Sequence, residues 1–69
     1  MNIYKATVTV AHGTGGYKHD PHHYWCGTGT AMCRSPKQAV RLARRQADQA
    51  CGEGAAWMLV WLDVVIERK

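Results

Sequence analysis

The sequence predicts one small α+β domain with the element order β-β-α-β. Its three strands form an antiparallel sheet in the spatial order 2-1-3, with one helix packed on one face. Three observations lead there. Two segments in the first half alternate apolar and polar residues with period two. A Ser-Pro-initiated segment with helical periodicity follows them, and the last segment is rich in Val, Trp and Ile. A crossover from the second strand through the helix can return the third strand beside the first, antiparallel to it, which gives the 2-1-3 order.

The first strand is expected at about residues 3–10, where Tyr4, Ala6, Val8 and Val10 share a face and Lys5, Thr7 and Thr9 share the other. Residues 11–22 contain Gly13, Gly15, Gly16, Asp20 and Pro21 and read as a long irregular loop. The second strand, about 23–33, places Tyr24, Cys26, Thr28, Thr30 and Met32 opposite Trp25 and Ala31. Gly27 and Gly29 within it signal a bulge or a close approach of another backbone.

The helix is expected over 36–51. Ser35 can cap it, Pro36 occupies its first position, Gln38 completes a Ser-x-x-Gln capping box and Gly52 stops it. Pro36, Ala39, Val40, Ala43, Ala47, Ala50 and Cys51 make one continuous arc, mostly alanine, so the helix should lie close to its sheet. After the Gly52-Glu53-Gly54 turn, a strand is expected over 56–67, with Met58, Val60, Leu62, Val64 and Ile66 on one face. Trp57, Leu59, Trp61 and Val65 fall on the other, and Asp63 is the single charge between them. Both faces of this strand are therefore apolar.

Sixty-nine residues hold one domain, and no apolar run approaches the ~18 residues of a membrane span. A content of 46% apolar and 20% charged residues is that of a folded chain. The three cysteines, Cys26, Cys33 and Cys51, are an odd number at irregular spacing. Reduced thiols in a cytoplasm are the simpler expectation, and the first residues carry no signal-peptide pattern.

Three features bear on function. One helix covers only one face of three strands, so the second face would carry Trp57, Leu59, Trp61 and Trp25 into water. Exposed patches of this kind mark interfaces, and Trp is a frequent anchor, for a foreign protein or for a second copy. The alternative is that the long loop folds over these residues. Next, Lys37, Arg41, Arg44 and Arg45 form a basic stripe on the helix, preceded by Arg34, in a chain of net charge +4. Such a stripe suits nucleic acid, an acidic protein surface or plain solvation. Last, His19, His22, His23 and Cys26 are candidate zinc ligands, with His12 and Cys33 in range. Their spacing lacks the paired C-x2-C pattern of zinc fingers. No catalytic motif is evident: the glycine-rich run from His12 to Lys18 lacks the phosphate-loop register. A non-enzymatic protein without a cofactor is expected.

In size, element order and its Ser-Pro-capped Ala/Arg-rich helix, the chain resembles the small anti-CRISPR proteins of phages and mobile elements. That resemblance implies a viral inhibitor acting in the cytoplasm of a bacterial host. It would bind a CRISPR surveillance complex, often of type I, and block DNA binding or nuclease recruitment. Many such inhibitors are acidic and imitate DNA, whereas this chain is basic, which favours contact with an acidic protein surface or exposed nucleic acid. Ser35-Pro36 followed by Ala39 also resembles the helix start of the small antitoxins of the Hic toxin–antitoxin class. The alternatives carried forward are a small basic nucleic-acid-binding module and a zinc-stapled or antitoxin-like interaction domain.

Overall fold

The computed structural model describes residues 2–13 and 24–69. β1 spans Tyr4–Gly13, β2 Tyr24–Cys33, α1 Pro36–Cys51 and β3 Met58–Arg68, with a short 3-10 turn at Gly52–Ala56 between α1 and β3. The three strands form one antiparallel sheet in the order β2-β1-β3. This is the architecture expected from the sequence. β1 runs three residues past the expected end because His12 continues the even-numbered face of Ala6, Val8 and Val10. β3 starts two residues late because the chain first completes the 3-10 turn.

Strand register fixes the two faces. Opposed residues in an antiparallel pair point to the same side. Val8 lies between Gly29 and Val64, and Val10 between Gly27 and Leu62. The helix packs on this face, over β2 and β1. Ala39, Ala43, Ala47 and Cys51 are buried against Ala6, Val8 and Val10. Helix and sheet meet almost backbone to backbone: a Cβ at Gly29 would overlap the Ala43 carbonyl, and one at Gly27 the Ala47 carbonyl. The two strand glycines thus mark close approach, and the alanine arc is its counterpart on the helix.

Local signals set the helix ends. Ser35 Oγ accepts from the Gln38 N–H at 3.5 Å, and the Ser35 carbonyl accepts from the Ala39 N–H at 3.0 Å. Gly52, at φ 68°, stops the helix in a left-handed conformation that glycine adopts without strain.

The core is made of small side chains. Among the described residues, Val8 and Val10 are the largest that are fully buried. Every Leu, Ile and Trp of the chain is exposed to at least 37%. Close packing of helix on sheet leaves no room for large residues between the layers, so they lie beside the helix on β3, at the end where the 3-10 turn packs, and on the outer surfaces.

Candidate functional site: the uncovered side of β3

Two side-chain contacts orient α1. Asp48 reaches His12 on β1, while Gln46 Oε1 accepts from the Thr30 N–H on β2 at 3.3 Å. On the helical wheel Lys37, Val40, Arg44 and Asp48 share one flank, and Leu42 and Gln46 the other. The first flank therefore overlooks β1 and β3, and the second overlooks the outer edge of β2. The helix stops short of β3. Seven apolar residues of that strand, Met58, Leu59, Trp61, Leu62, Val64, Val65 and Ile66, are 38–62% exposed.

A bulge divides them between the two faces. Ala11 pairs with Trp61, but His12 pairs with Leu59, so Val60 is the extra residue. Past the bulge Leu59 joins Leu62, Val64 and Ile66 on the helix side. Trp61 and Val65 lie on the reverse side with Thr7, Thr9 and Thr28. This corrects the expectation that Trp25, Trp57, Leu59 and Trp61 share one face. All four are exposed, yet strict alternation along β3 fails at Val60, and Trp61 parts from the others. Trp25 faces the helix side, opposite His12. Its ring stacks on Trp57 with centroids 5.9 Å apart and an interplanar angle of 7°. Gly54 of the 3-10 turn sits so close that a Cβ there would overlap Trp25.

The helix side of β3 is thus a ledge. Its floor is Leu59, Leu62, Val64 and Ile66, the helix flank borders it, and the stacked tryptophans lie at the end where the 3-10 turn packs.

The basic stripe is less uniform than its sequence implies. Lys37, Arg41 and Arg45 are exposed on α1, and Arg34 is exposed in the turn before it. Arg44 is half-buried, with its Nε 3.3 Å from both carboxylate oxygens of Asp48. Its charge is therefore partly compensated. The Trp25–Trp57 pair lies at the C-terminal end of α1, whereas the exposed cations lie along its first ten residues, so among the described residues aromatic and basic groups do not converge into a stacking platform.

His12 is a residue whose role the sequence pattern missed. It is only 5% exposed, and its Nδ1 donates to the Trp57 carbonyl at 3.1 Å. Its Nε2 lies 3.1 Å from Asp48 Oδ1. The ring joins β1, α1 and the start of β3, so here it is an internal tie. The continued alternation Ala6, Val8, Val10, His12 was the signal that could have found it.

Of the zinc candidates, His19, His22 and His23 lie outside the described residues, as do residues 14–22 of the long loop, the alternative cover for the tryptophans; residues 11–13 of it belong to β1. Cys26 is exposed on the reverse face of β2. Among the described residues no three His, Cys, Asp or Glu side chains are grouped to hold a metal ion. Cys51 is buried and donates from Sγ to the Trp25 carbonyl at 3.0 Å, and burial pushes its thiol pKa up. No helix among the described residues is long and apolar enough to cross a membrane.

Comparison with protein-family models, curated proteins and solved structures finds no match to this chain.

Proposed function

We propose that the protein acts by binding another protein, without chemistry of its own, and that the ledge along β3 is its docking site. The supporting observation is the inversion of side-chain size. Small residues fill the core, while Leu59, Leu62, Val64 and Ile66 lie in solvent on the one strand the helix does not cover. Contiguous apolar surface beside a charged flank is the usual anatomy of a protein interface, with an apolar centre and a polar rim. Lys37 on that flank, with Arg41 beside it on the solvent side of the helix, supplies a positive rim, which suits a partner with acidic groups around an apolar contact and speeds its approach.

The resemblance in size and element order to small anti-CRISPR inhibitors makes a type I surveillance complex the first partner to test. The purified tagged protein is incubated with bacterial lysate containing such complexes, with and without nuclease. Retention of a Cas protein after nuclease supports inhibition by protein binding. Recovery that disappears with nuclease transfers the reading to a nucleic-acid module acting through Lys37, Arg41 and Arg45. Binding of that second kind would weaken steeply with salt.

A further inference from the structure

We infer that the outer edge of β3, which no described strand pairs, pairs with β3 of a second copy, antiparallel about a two-fold axis at Val64. The pairing would make one continuous six-stranded sheet. This goes beyond the docking ledge: the edge takes the second copy, and the faces of β3 stay open to a different partner.

The two sheet edges are treated differently. At β2, the Gln46 side chain from α1 occupies the Thr30 N–H. β3 runs for eleven residues, Met58–Arg68, with no proline, and Asp63 is its one charge before Glu67. Its bulge lies near the start, at Val60, leaving the rest of the edge straight. Edges that must remain single are normally shortened, charged, kinked or covered. From Trp61 to Ile66, this one is apolar at every position except Asp63.

The phase of the ladder shows which groups are free. The Lys69 N–H donates to the Ile3 carbonyl at 2.7 Å. Antiparallel bonds recur at every second pair. The bonded pairs are therefore Glu67 with Lys5, Val65 with Thr7 and Asp63 with Thr9, in the observed register. Leu62, Val64, Ile66 and Arg68 then turn their N–H and C=O groups outward, and these can bond a second strand.

Charge and strand length together narrow the registers of self-pairing: a centre at Leu62 sets the Val60 bulge against Val64, and a centre at Ile66 leaves only residues 63–69 opposed. Centring on Asp63 opposes two aspartates, and centring on Val65 opposes Asp63 to Glu67; like charges directly opposed are destabilising. Centring on Val64 opposes no like charges. It pairs Val64 with its copy and Leu62 with Ile66 on the helix side, and Asp63 with Val65 and Trp61 with Glu67 on the reverse. It also sets outward backbone groups against outward backbone groups. The two-fold axis is perpendicular to the sheet, so both helices lie on the same side and the two ledges fuse into one apolar floor between them. The need for added burial is plain from the core, whose largest fully buried side chains among the described residues are two valines. Domains this small often gain stability by oligomerisation.

Sedimentation equilibrium of the purified full chain, over a hundredfold concentration range, should give twice the 7.7 kDa protomer mass. Val64→Lys opposes two ammonium groups at the axis and should return a folded monomer, checked by circular dichroism. A second test fixes register in a Cys26→Ser, Cys33→Ser background. V64C should form a covalent dimer on mild oxidation, because directly opposed strand residues are within disulfide reach. V65C should not, because the two copies of that position lie about 8 Å apart across a diagonal, beyond bridging distance. A wild-type monomer throughout the range, a dimer indifferent to Val64→Lys, or cross-linking at V65C in place of V64C would each overturn the inference. Partner capture in the lysate experiment is read separately, so a monomer that still captures its target leaves the docking function standing.

Discussion

His12 Nε2 on β1 lies 3.1 Å from Asp48 Oδ1 on α1, joining residues 36 apart in the chain. The same imidazole donates from Nδ1 to the Trp57 carbonyl at 3.1 Å, just before β3 begins. One buried side chain thus fixes the last turns of the helix and the entry of the third strand to the central strand. Arg44 completes the group from the helix side, bridging Asp48 one turn away. A core of alanine and valine gives little steric definition at this end, and directional hydrogen bonds supply it.

Replacing His12 with alanine removes the partner of the Trp57 carbonyl and exposes a gap beside Asp48. Leaving buried polar groups unpaired costs about 1–3 kcal/mol, a large share of the stability of a small domain. The expected result is a clear fall in the urea midpoint of unfolding. Asp48→Asn keeps an oxygen acceptor at the same place and should cost less. Equal midpoints for wild type and His12→Ala would show that the tie contributes nothing.

The helix–sheet contact makes a sharper prediction at Gly29. A methyl group there would overlap the Ala43 carbonyl oxygen, a backbone atom that moves only if the whole helix lifts. Gly29→Ala should destabilise by about 1–3 kcal/mol or more, the range for overpacked cores. Ala43→Leu, from the other side of the same contact, should do likewise. The two lesions share one interface, so the double variant should lose less than their sum. Thermal unfolding of the two single variants and the double variant tests all three statements.

These contacts also show how far the sequence could be read. Ser35, Pro36 and Gly52 mark the helix ends because capping acts locally, within a few residues. The alternation of Ala6, Val8 and Val10 marks a half-buried strand because side-chain direction has period two wherever the ladder is regular. What could not be read depends on distant pairing. The bulge at Val60 arises from the match of β3 to β1, and it moves Leu59 to the side opposite Trp61. The lateral position of α1, over β2 and β1 but not β3, depends on Gly27 and Gly29 meeting Ala43 and Ala47. Without that placement, an uncovered second face is predictable, but the uncovered ledge beside the helix is not. His12 looked like a loop residue because glycine follows it, and its partners, Asp48 and Trp57, come from two later elements.

The ledge and the reverse face can be told apart by two substitutions. Leu62 lies on the floor beside the helix, and Trp61 lies on the opposite side of the sheet. Leu62→Glu should weaken partner capture on the order of tenfold or more, as loss of a central interface residue does. Trp61→Ala should leave capture near the wild-type level. Both residues are exposed, so neither change should alter the unfolding midpoint by much. If Trp61→Ala abolishes capture and Leu62→Glu does not, the partner sits on the reverse face.

Cys51 provides a test of the helix–turn junction. Its thiol is buried, and burial pushes its pKa above the ordinary 9.0. Iodoacetamide should therefore modify exposed Cys26 first and Cys51 only as the fold opens. The sign of the pH effect follows from the same shift. Well below pH 9 both folded and unfolded chains keep the proton, and the contribution to stability is constant. Above it, the unfolded chain ionises while the folded chain resists, so stability falls as pH rises toward the native value. Cys51→Ser has no ionising thiol and should show a shallower loss of stability between neutral and alkaline pH. Urea titrations of both proteins across that range would expose the difference. Parallel pH profiles would mean that Cys51 ionises as readily in the fold as in the open chain.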